Sequence, residues 1–356
     1  MRPSFPTLTW PNHYSLATGL YPDSHGIVGN IFHDTRTNKT FDYMDMDGQR
    51  NSEWWGGEPI WITAEKSGIT TANCMWPGST AEIKHTRPSL YREWDWRVSH
   101  EQRIDIAVEW LALPPSKRPL FVAVYLGDVD HAGHMYGPDS PQVNFELTNL
   151  DNSIAKLITG VERISKRAWY ESVNIIVVSD HGMGEGNTLS KFVFLDDFVD
   201  STKFTIVDDV AVHIFPTNDQ DMESLYQTWK SASLASGHWN IWKKEEIPAE
   251  YHYSTNVRIA PLIAVPDPGW AVSSRSSNKI LSKPFELKGM HGYNNSHPDM
   301  QAIFVAAGPA FKPATQPIKP FENIEIYNLI ARVMGLKQTA VNNGTVAASL
   351  FDGYLH

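Results

Sequence analysis

Two polar segments directly follow two apolar runs, and this arrangement constrains the fold more than any other feature of the sequence. Residues 130–134 (Asp-His-Ala-Gly-His) come just after the run at 120–126. Residues 180–183 (Asp-His-Gly-Met) come just after the run at 173–179. Short apolar runs predict core strands, and the carboxyl ends of parallel strands face the crevice where α/β sheets bind ligands. Because Asp and His are ligands that Zn²⁺ prefers, the sequence predicts a metal-dependent enzyme.

Helical and strand-like patterns alternate along the chain, which favours an α/β fold with a mostly parallel sheet and helices on both faces. The patterns predict helices at 99–113, 143–164 and 324–333, and a third strand at 302–307. Between about 191 and 270 the pattern changes to short mixed runs, which predicts a small α+β insertion. We expect residues 1–356 to form a single catalytic domain around this insertion.

Composition excludes several classes of function. The net charge is −10 and no long Lys/Arg run is present, which disfavours binding to a nucleic-acid polymer and favours a small-molecule substrate. With 42% hydrophobic and 20% charged residues, the chain has the composition of a globular protein. No apolar run reaches 18 residues, so we expect no membrane-spanning segment within this chain. The sequence gives no indication of the oligomeric state.

Thr9 is the candidate nucleophile. It precedes a predicted helix with Pro11 at its start and Gly19 at its end, so we expect Thr9 to be the N-cap. A hydroxyl there faces unpaired N–H groups and the positive end of the helix dipole, which suits both a phosphate and an alkoxide. A threonine before a helix is more commonly a simple cap, and from the residues alone both roles stay open.

Five Asp and His side chains are candidate metal ligands. Asp130 with His134 can chelate one metal from the loop after its strand, and Asp180 with His181 can contribute to a second. One such pair more often serves a turn or a cap, but two pairs at two strand ends favour metal binding. His291, in a Gly-rich turn before the third predicted strand, is the best further imidazole.

At this point the residues match a known family. The segment Thr-Trp-Pro-Asn-His-Tyr at 9–14 closely resembles the nucleophile segment of the nucleotide pyrophosphatase/phosphodiesterases, in the alkaline phosphatase superfamily. The resemblance is collinear over nearly the whole chain, and it continues at 18–22, 25–27, 76–79, 125–126, 130–134, 179–183, 291–292 and 342–345.

The resemblance implies an alkaline-phosphatase-like fold and hydrolysis of phosphodiester or pyrophosphate bonds with two Zn²⁺ ions. Thr9 would contact one zinc and form a phospho-threonine intermediate. The ligands it implies are Asp180 and His181 for the zinc beside Thr9, and Asp130, His134 and His291 for the other.

The resemblance also implies which residues bind the substrate. Asn30, twenty-one residues after Thr9, would donate from its side chain to a phosphoryl oxygen. Trp10, Tyr125 and Trp94 would form the slot for the leaving or retained group, commonly a nucleobase. Core or rim packing is the alternative role for these three aromatic residues. Family members also cleave choline-containing lipid head groups, so the identity of the substrate stays open.

The amino-terminal segment departs from the family pattern. In the family, the first strand supplies an Asp to the zinc beside the nucleophile, but only eight residues precede Thr9 here and none is acidic. We therefore expect an amino-terminally truncated chain in which zinc binding beside Thr9 is weak and activity is impaired. The resemblance implies a secreted, cell-surface or membrane-anchored protein, with its targeting segment absent from these residues.

Two alternatives to the diesterase prediction stay open. One is a phosphomonoesterase or sulfatase-like hydrolase of the same superfamily, which the diesterase motif around Thr9 disfavours. The other is a non-catalytic binding domain, inactivated by the absent carboxylate. A metal assay separates the second alternative from the enzyme.

Overall fold

The structure is a computed structural model that describes residues 1–186, 188–276, 287–314 and 316–356. The α-helices are α1 (Thr9–Thr18), α2 (Pro22–His25), α3 (Ile60–Lys66), α4 (His100–Leu111), α5 (Asp128–Tyr136), α6 (Pro141–Ser165), α7 (Met222–Ser236) and α8 (Glu325–Val333). Within these described ranges, every helix is too short or too polar to cross a membrane.

Short strands form several small sheets. They are β1 (Ile31–Asp34), β2 (Lys39–Asp42), β3 (Thr71–Cys74), β4 (Leu90–Arg92), β5 (Phe121–Val124), β6 (Ile175–Val178), β7 (Gly184–Glu185), β8 (Phe192–Phe194), β9 (Phe204–Val207), β10 (Val212–Pro216), β11 (Trp239–Lys243), β12 (Leu262–Pro266), β13 (Ala271–Ser273), β14 (Gly289–Met290) and β15 (Phe304–Ala307). Single turns of 3₁₀ helix connect many of them.

The strands that precede the two polar segments are confirmed. The run at 120–126 contains β5, which pairs in parallel with β3, and β3 pairs in parallel with β4. The run at 173–179 contains β6, and the third predicted strand contains β15, which pairs antiparallel with β6. With α4 packed against β3 and β5, and α6 packed against α4, these elements confirm the predicted α/β class. Parallel pairing is restricted to β3–β4, β3–β5 and β8–β13 among the described strands.

An antiparallel sheet occupies much of the stretch that we predicted as an insertion. Its strand order is β11-β12-β10-β9, and α7 packs against β11. This sheet has its own apolar cluster, in which Trp229 and Trp239 are fully buried. The turn at 208–211 joins β9 to β10 and, as shown below, reaches the candidate active site.

Two helix boundaries differ from the sequence prediction. Thr9 is not the N-cap of α1, because Leu8 has the extended backbone of an N-cap and Thr9 is the first helical residue. Asp130 and His134 do not lie in a loop, since α5 begins at Asp128, immediately after β5. Helical winding places residues four apart on one face, so this helix brings Asp130 and His134 together.

The predicted helices at 99–113 and 143–164 are confirmed as α4 and α6. Ser99 forms a capping box with Gln102 at the start of α4. Ser140 caps α6, and Pro141 occupies its first position, where the missing N–H costs nothing. These local signals fix where the two helices begin.

Candidate active site

Three of the predicted ligands form the first cluster, here called the α5 cluster: Asp130, His134 and His291. One donor atom from each side chain lies within 4.8 Å of the other two. His134 Nε2 is 3.1 Å from His291 Nε2, and the Asp130 carboxylate is 3.6 Å and 3.5 Å from these two atoms. Asp130 and His134 come from one face of α5, and His291 follows β14.

Hydrogen bonds fix the tautomers of both histidines in the α5 cluster. His134 Nδ1 is 2.9 Å from the carbonyl of Gly289, and His291 Nδ1 is 2.8 Å from the carbonyl of Thr7. Because a carbonyl only accepts, each Nδ1 donates to it, and in a neutral imidazole this leaves the lone pair on Nε2. Burial, with the imidazoles of His181 and His134, holds the pKa of His291 well below its ordinary value. Two lone pairs facing each other favour a cation between them.

The Asp130 carboxylate provides a further indication of a cation. Its Oδ1 atom is buried and has no hydrogen-bond partner among the residues that the structure describes. A buried carboxylate oxygen without a donor is costly, and a bound metal removes this cost. The donor set of one carboxylate and two neutral imidazoles also suits Zn²⁺. The α5 cluster therefore fits a metal.

Thr9, Asp180 and His181 form the second cluster, here called the Thr9 cluster. The Thr9 hydroxyl is 3.3 Å from His181 Nε2, which is 3.0 Å from Asp180 Oδ2. His181 Nδ1 donates to the carbonyl of Gly182 at 2.8 Å, so Nε2 is the atom that faces Thr9. Burial lowers the pKa of His181, but the Asp180 charge has the larger effect and raises this pKa to about 9. Thr9 is therefore not a cap, and its hydroxyl faces a carboxylate–imidazole pair.

His13 belongs to the same site, although the sequence prediction missed it. Its Nδ1 atom lies 2.9 Å from the Thr9 carbonyl and 3.2 Å from Asp180 Oδ2, and the side chain is buried. The imidazoles of His181 and His13 hold the pKa of Asp180 well below its usual range, against the effect of burial. The spacing of four residues from Thr9 on a predicted helix was the signal that could have identified His13.

The two clusters are in direct contact. The rings of His181 and His291 stack at a centroid distance of 3.5 Å and an angle of 15°. The Asp130 charge also contributes to the raised pKa of His181. The ends of β5 and β6, together with His291, therefore meet at one place beside Thr9.

Asn30 lies beside the first turn of α1. Its side-chain Oδ1 accepts from the backbone N–H of Trp10 at 3.0 Å, so Asn30 supplies the cap that Leu8 cannot. Its backbone carbonyl accepts from Tyr43 N–H at 3.1 Å. The side-chain Nδ2 group makes none of the described hydrogen bonds, so it is left to donate beside Trp10, the residue that follows Thr9.

The predicted substrate-slot aromatics fall into two groups. Trp94 contacts Tyr125 at a ring distance of 5.7 Å, and Arg103 lies 4.8 Å above Trp94. The Tyr125 ring also contacts the ring of His13, at 4.8 Å, which places it beside the Thr9 cluster. Burial and the charges of the Asp180 and Asp130 carboxylates raise the pKa of Tyr125.

Trp10 contacts Tyr43 instead, at 4.9 Å. Among the described residues, no ring contact joins Trp10 to Tyr125 or Trp94. The three aromatic residues predicted for the slot therefore lie in two separate ring pairs, Trp94 with Tyr125 and Trp10 with Tyr43.

Comparison with known proteins decides the family. The model of the family "Type I phosphodiesterase / nucleotide pyrophosphatase" matches residues 1–294. The chain belongs to this family. It is therefore a hydrolase of the class to which its relatives belong.

The relatives cover nearly the whole chain. It is 37% identical to an uncharacterized pyrophosphatase/phosphodiesterase of Schizosaccharomyces pombe, over 98% of this chain and 72% of that protein. It is 35% identical to ectonucleotide pyrophosphatase/phosphodiesterase family member 1 of Homo sapiens, over 97% of this chain but only 37% of that protein. Among solved structures, human ectonucleotide pyrophosphatase/phosphodiesterase 5 has a TM-score of 0.89 at 30% identity, covering 99% of this chain and 90% of that one.

A related murine structure carries a nucleotide. It is an inactive variant of ectonucleotide pyrophosphatase/phosphodiesterase 5, with one threonine replaced by alanine, in complex with AMP. Its TM-score to this chain is 0.84 at 32% identity, over 97% of this chain and 88% of that one. These structural likenesses are consistent with the α/β class described above.

Proposed function

We propose that this protein hydrolyses phosphodiester or pyrophosphate bonds in nucleotides or related small phosphodiesters, through a phospho-threonine intermediate on Thr9. The observation that carries the proposal is the position of the Thr9 hydroxyl, 3.3 Å from His181 Nε2 and next to two contiguous carboxylate–imidazole clusters. Family membership supports the bond that is cleaved, and the threonine-to-alanine change in the inactive murine relative supports the choice of nucleophile.

Two Zn²⁺ ions fit the proposed site. Asp130, His134 and His291 would hold one ion, and Asp180, His181 and the Thr9 oxygen would hold the other. Bound zinc would lower the pKa of the Thr9 hydroxyl and neutralise the negative charge of the phosphoryl oxygens. The neutral imidazoles and the buried, unpartnered Asp130 oxygen support the first of these assignments.

The protein's own groups orient the reaction. In the first step, Thr9 Oγ1 releases its proton to solvent and forms a bond to phosphorus, while the bond from phosphorus to the leaving-group oxygen breaks and the leaving group departs with that electron pair. Water then cleaves the phospho-threonine and restores the hydroxyl. Thr9 is suited to the attack because it lies at the first position of α1, where the helix dipole favours negative charge.

Asn30 acts on the phosphoryl group in this proposal. Its Nδ2 group donates to a non-bridging oxygen, while its Oδ1 stays bonded to Trp10 N–H. A donor held in place before the substrate binds costs no reorganisation as charge develops in the transition state. Asn30 therefore stabilises the transition state rather than the ground state.

Aromatic side chains bind the rest of the substrate. We assign the group attached to the phosphate to the Trp94–Tyr125 side of the site, with Trp10 on the α1 side. The AMP bound to the murine relative supports a nucleotide as the small-molecule substrate. Relatives named as ectonucleotide enzymes support action outside the cell or at its surface.

The test is hydrolysis by zinc-loaded protein of three compounds: bis(4-nitrophenyl) phosphate, thymidine 5′-(4-nitrophenyl phosphate) and 4-nitrophenyl phosphate. We expect turnover of the two diesters to exceed that of the monoester. Faster cleavage of the monoester would support a phosphomonoesterase instead. Zinc binding with no turnover of any of the three would indicate a non-catalytic binding domain.

A further inference from the structure

The turn at 208–211 lies far from α1 in the sequence but against it in the structure. Asp209 Oδ2 accepts from the backbone N–H of Asn30 at 3.3 Å, and Asp209 Oδ1 accepts from Val210 N–H at 2.8 Å. The backbone of Ile31 also stabilises the Asp209 charge. One carboxylate from the antiparallel sheet therefore holds the segment that presents the Asn30 side chain.

The next residue of the turn packs against both halves of the site. A Cβ atom on Gly292 would lie 2.6 Å from Val210 Cβ and 2.9 Å from Leu8 Cδ2. Gly292 follows His291, and Leu8 precedes Thr9. Since there is no room for a side chain between these residues, the turn is in tight contact with the elements that carry both clusters.

Asn30 is restrained from three directions. Asp209 accepts from its backbone N–H, Tyr43 donates to its backbone carbonyl, and Trp10 N–H donates to its side-chain oxygen. Of these partners, only Asp209 is an ionisable side chain, and an ionised acceptor makes a stronger hydrogen bond than a neutral one. Loss of the Asp209 charge therefore weakens the restraint that comes from a side chain.

We propose that Asp209 is a positioning residue that holds Asn30 so that its Nδ2 group faces the phosphoryl oxygen attacked by Thr9. This inference rests on the proposed function, because it concerns the role assigned there to Asn30. It assigns part of the antiparallel sheet to catalysis, although none of the predicted site residues lies in that sheet.

Asp208 offers a matched control. It is the preceding residue and also acidic, but its carboxylate accepts from the Ser273 hydroxyl at 2.8 Å and has no contact with Asn30 among the described hydrogen bonds. Asp208→Asn therefore changes charge in the same turn without removing the restraint on Asn30. Only Asp209→Asn places an amide where the Asn30 and Val210 N–H groups need an acceptor.

The first test is a double-mutant cycle on hydrolysis of bis(4-nitrophenyl) phosphate. Asn30→Ala should lower kcat/KM by about 10²- to 10³-fold, as loss of one preorganised donor does. Asp209→Asn should lower it by roughly tenfold or more through misplacement of Asn30. In the Asn30→Ala background, Asp209→Asn should have an effect of less than about twofold, because Asp209 acts through Asn30. Asp208→Asn should stay within about twofold of wild type.

Equal losses from Asp209→Asn in both backgrounds would overturn the proposal, since Asp209 would then act independently of Asn30. Full activity of Asp209→Asn would overturn it as well. If Asn30→Ala is as active as wild type, the role given to Asn30 under the proposed function is wrong, and the inference fails with it.

A crystal structure of Asp209→Asn gives a readout that needs no activity. We expect the Asn30 side chain to leave Trp10 N–H, whereas in Asp208→Asn the 3.0 Å bond should persist. An unchanged Asn30 in Asp209→Asn would overturn the inference even if the wild type hydrolyses diesters. A displaced Asn30 in a protein without turnover would support the positioning and refute only the proposed function.

Discussion

The α5 cluster and the Thr9 cluster begin from similar sequence, an Asp and a His just after a strand, but they differ in how their charges are satisfied. In the α5 cluster the two residues are four apart on a helix, and the Nε2 atoms of His134 and His291 face each other across 3.1 Å. In the Thr9 cluster the two residues are adjacent, and Asp180 is already paired with His181 and His13. The α5 cluster therefore presents donor atoms that suit a cation, whereas two imidazoles already compensate the Asp180 charge in the Thr9 cluster.

This difference gives the two clusters different roles, metal binding in one and attack on phosphorus in the other. A set of lone pairs without a proton is suited to hold an ion tightly. A hydroxyl next to a carboxylate–imidazole pair is suited to lose its proton when an ion replaces the proton on the imidazole. We infer that the α5 cluster mainly holds metal and that the Thr9 cluster mainly performs the attack on phosphorus.

The largest effect is expected from Thr9→Ala. Turnover of bis(4-nitrophenyl) phosphate should fall by about 10³-fold or more, because the only hydroxyl at the reacting position is removed. Thr9→Ser is the matched control and should retain measurable activity. If the turnover of Thr9→Ala is within tenfold of the wild-type value, the Thr9 cluster does not contain the nucleophile. The division of roles between the two clusters would then be wrong.

Metal content distinguishes the clusters next. Because zinc binding beside Thr9 is expected to be weak, elemental analysis should be done on protein equilibrated with excess zinc. It should find about two ions per chain, and His134→Ala and His181→Ala should each lose about one. Each variant should also lose on the order of 10²-fold in rate, since a metal contributes several kcal/mol of charge stabilisation. His131→Ala changes an exposed histidine of α5 and should keep both ions. Wild-type protein without zinc after loading would refute the metal assignment of both clusters.

The contribution of Asp209 should depend on pH. Burial and the Asp208 charge raise the pKa of Asp209 to about 7, although hydrogen bonds from backbone N–H groups act to lower it. The Asp209 charge interacts with three nearby ionisable side chains: Asp208, Tyr43 and Tyr253. Burial raises the pKa of each of these three groups.

Below pH 7 the neutral carboxyl resembles an amide. The ratio of kcat/KM between wild type and Asp209→Asn should therefore fall from roughly tenfold at pH 8 toward one at pH 6. A ratio that is constant over this range would show that the charge of Asp209 does not affect catalysis. Asp208→Asn, measured over the same range, is the control for the loss of a neighbouring charge.

The smallest effect concerns the aromatic slot. Trp94→Ala should raise KM for thymidine 5′-(4-nitrophenyl phosphate) by about fivefold and leave kcat nearly unchanged, as loss of one stacking surface worth ~1 kcal/mol does. Trp96→Ala is the control, because Trp96 is 80% exposed and lies in the same loop. An equal effect of both changes would mean that the slot does not extend to Trp94.

Local patterns in the sequence predicted the strands β5, β6 and β15, the helices α4 and α6, and the candidate ligands that follow two of these strands. They failed where tertiary contacts decide. Leu8 rather than Thr9 is the N-cap, because Asn30 from another segment satisfies the first turn of α1. Asp209 gave no signal at all, since its partner lies 179 residues away along the chain. The carboxylate expected to complete the Thr9 cluster from a preceding strand stays a prediction.

The stacking of His181 on His291 has a consequence for how the protein takes up metal. At 3.5 Å and nearly parallel, neither ring can rotate without displacing the other. An ion that fixes one ring therefore aligns the other in advance, and uptake of the second ion should be favoured by the first. Titration with Co²⁺, followed by its visible absorption, should give a sigmoidal curve in wild type and a hyperbolic one in His291→Ala. A hyperbolic wild-type curve would mean that the two ions enter independently.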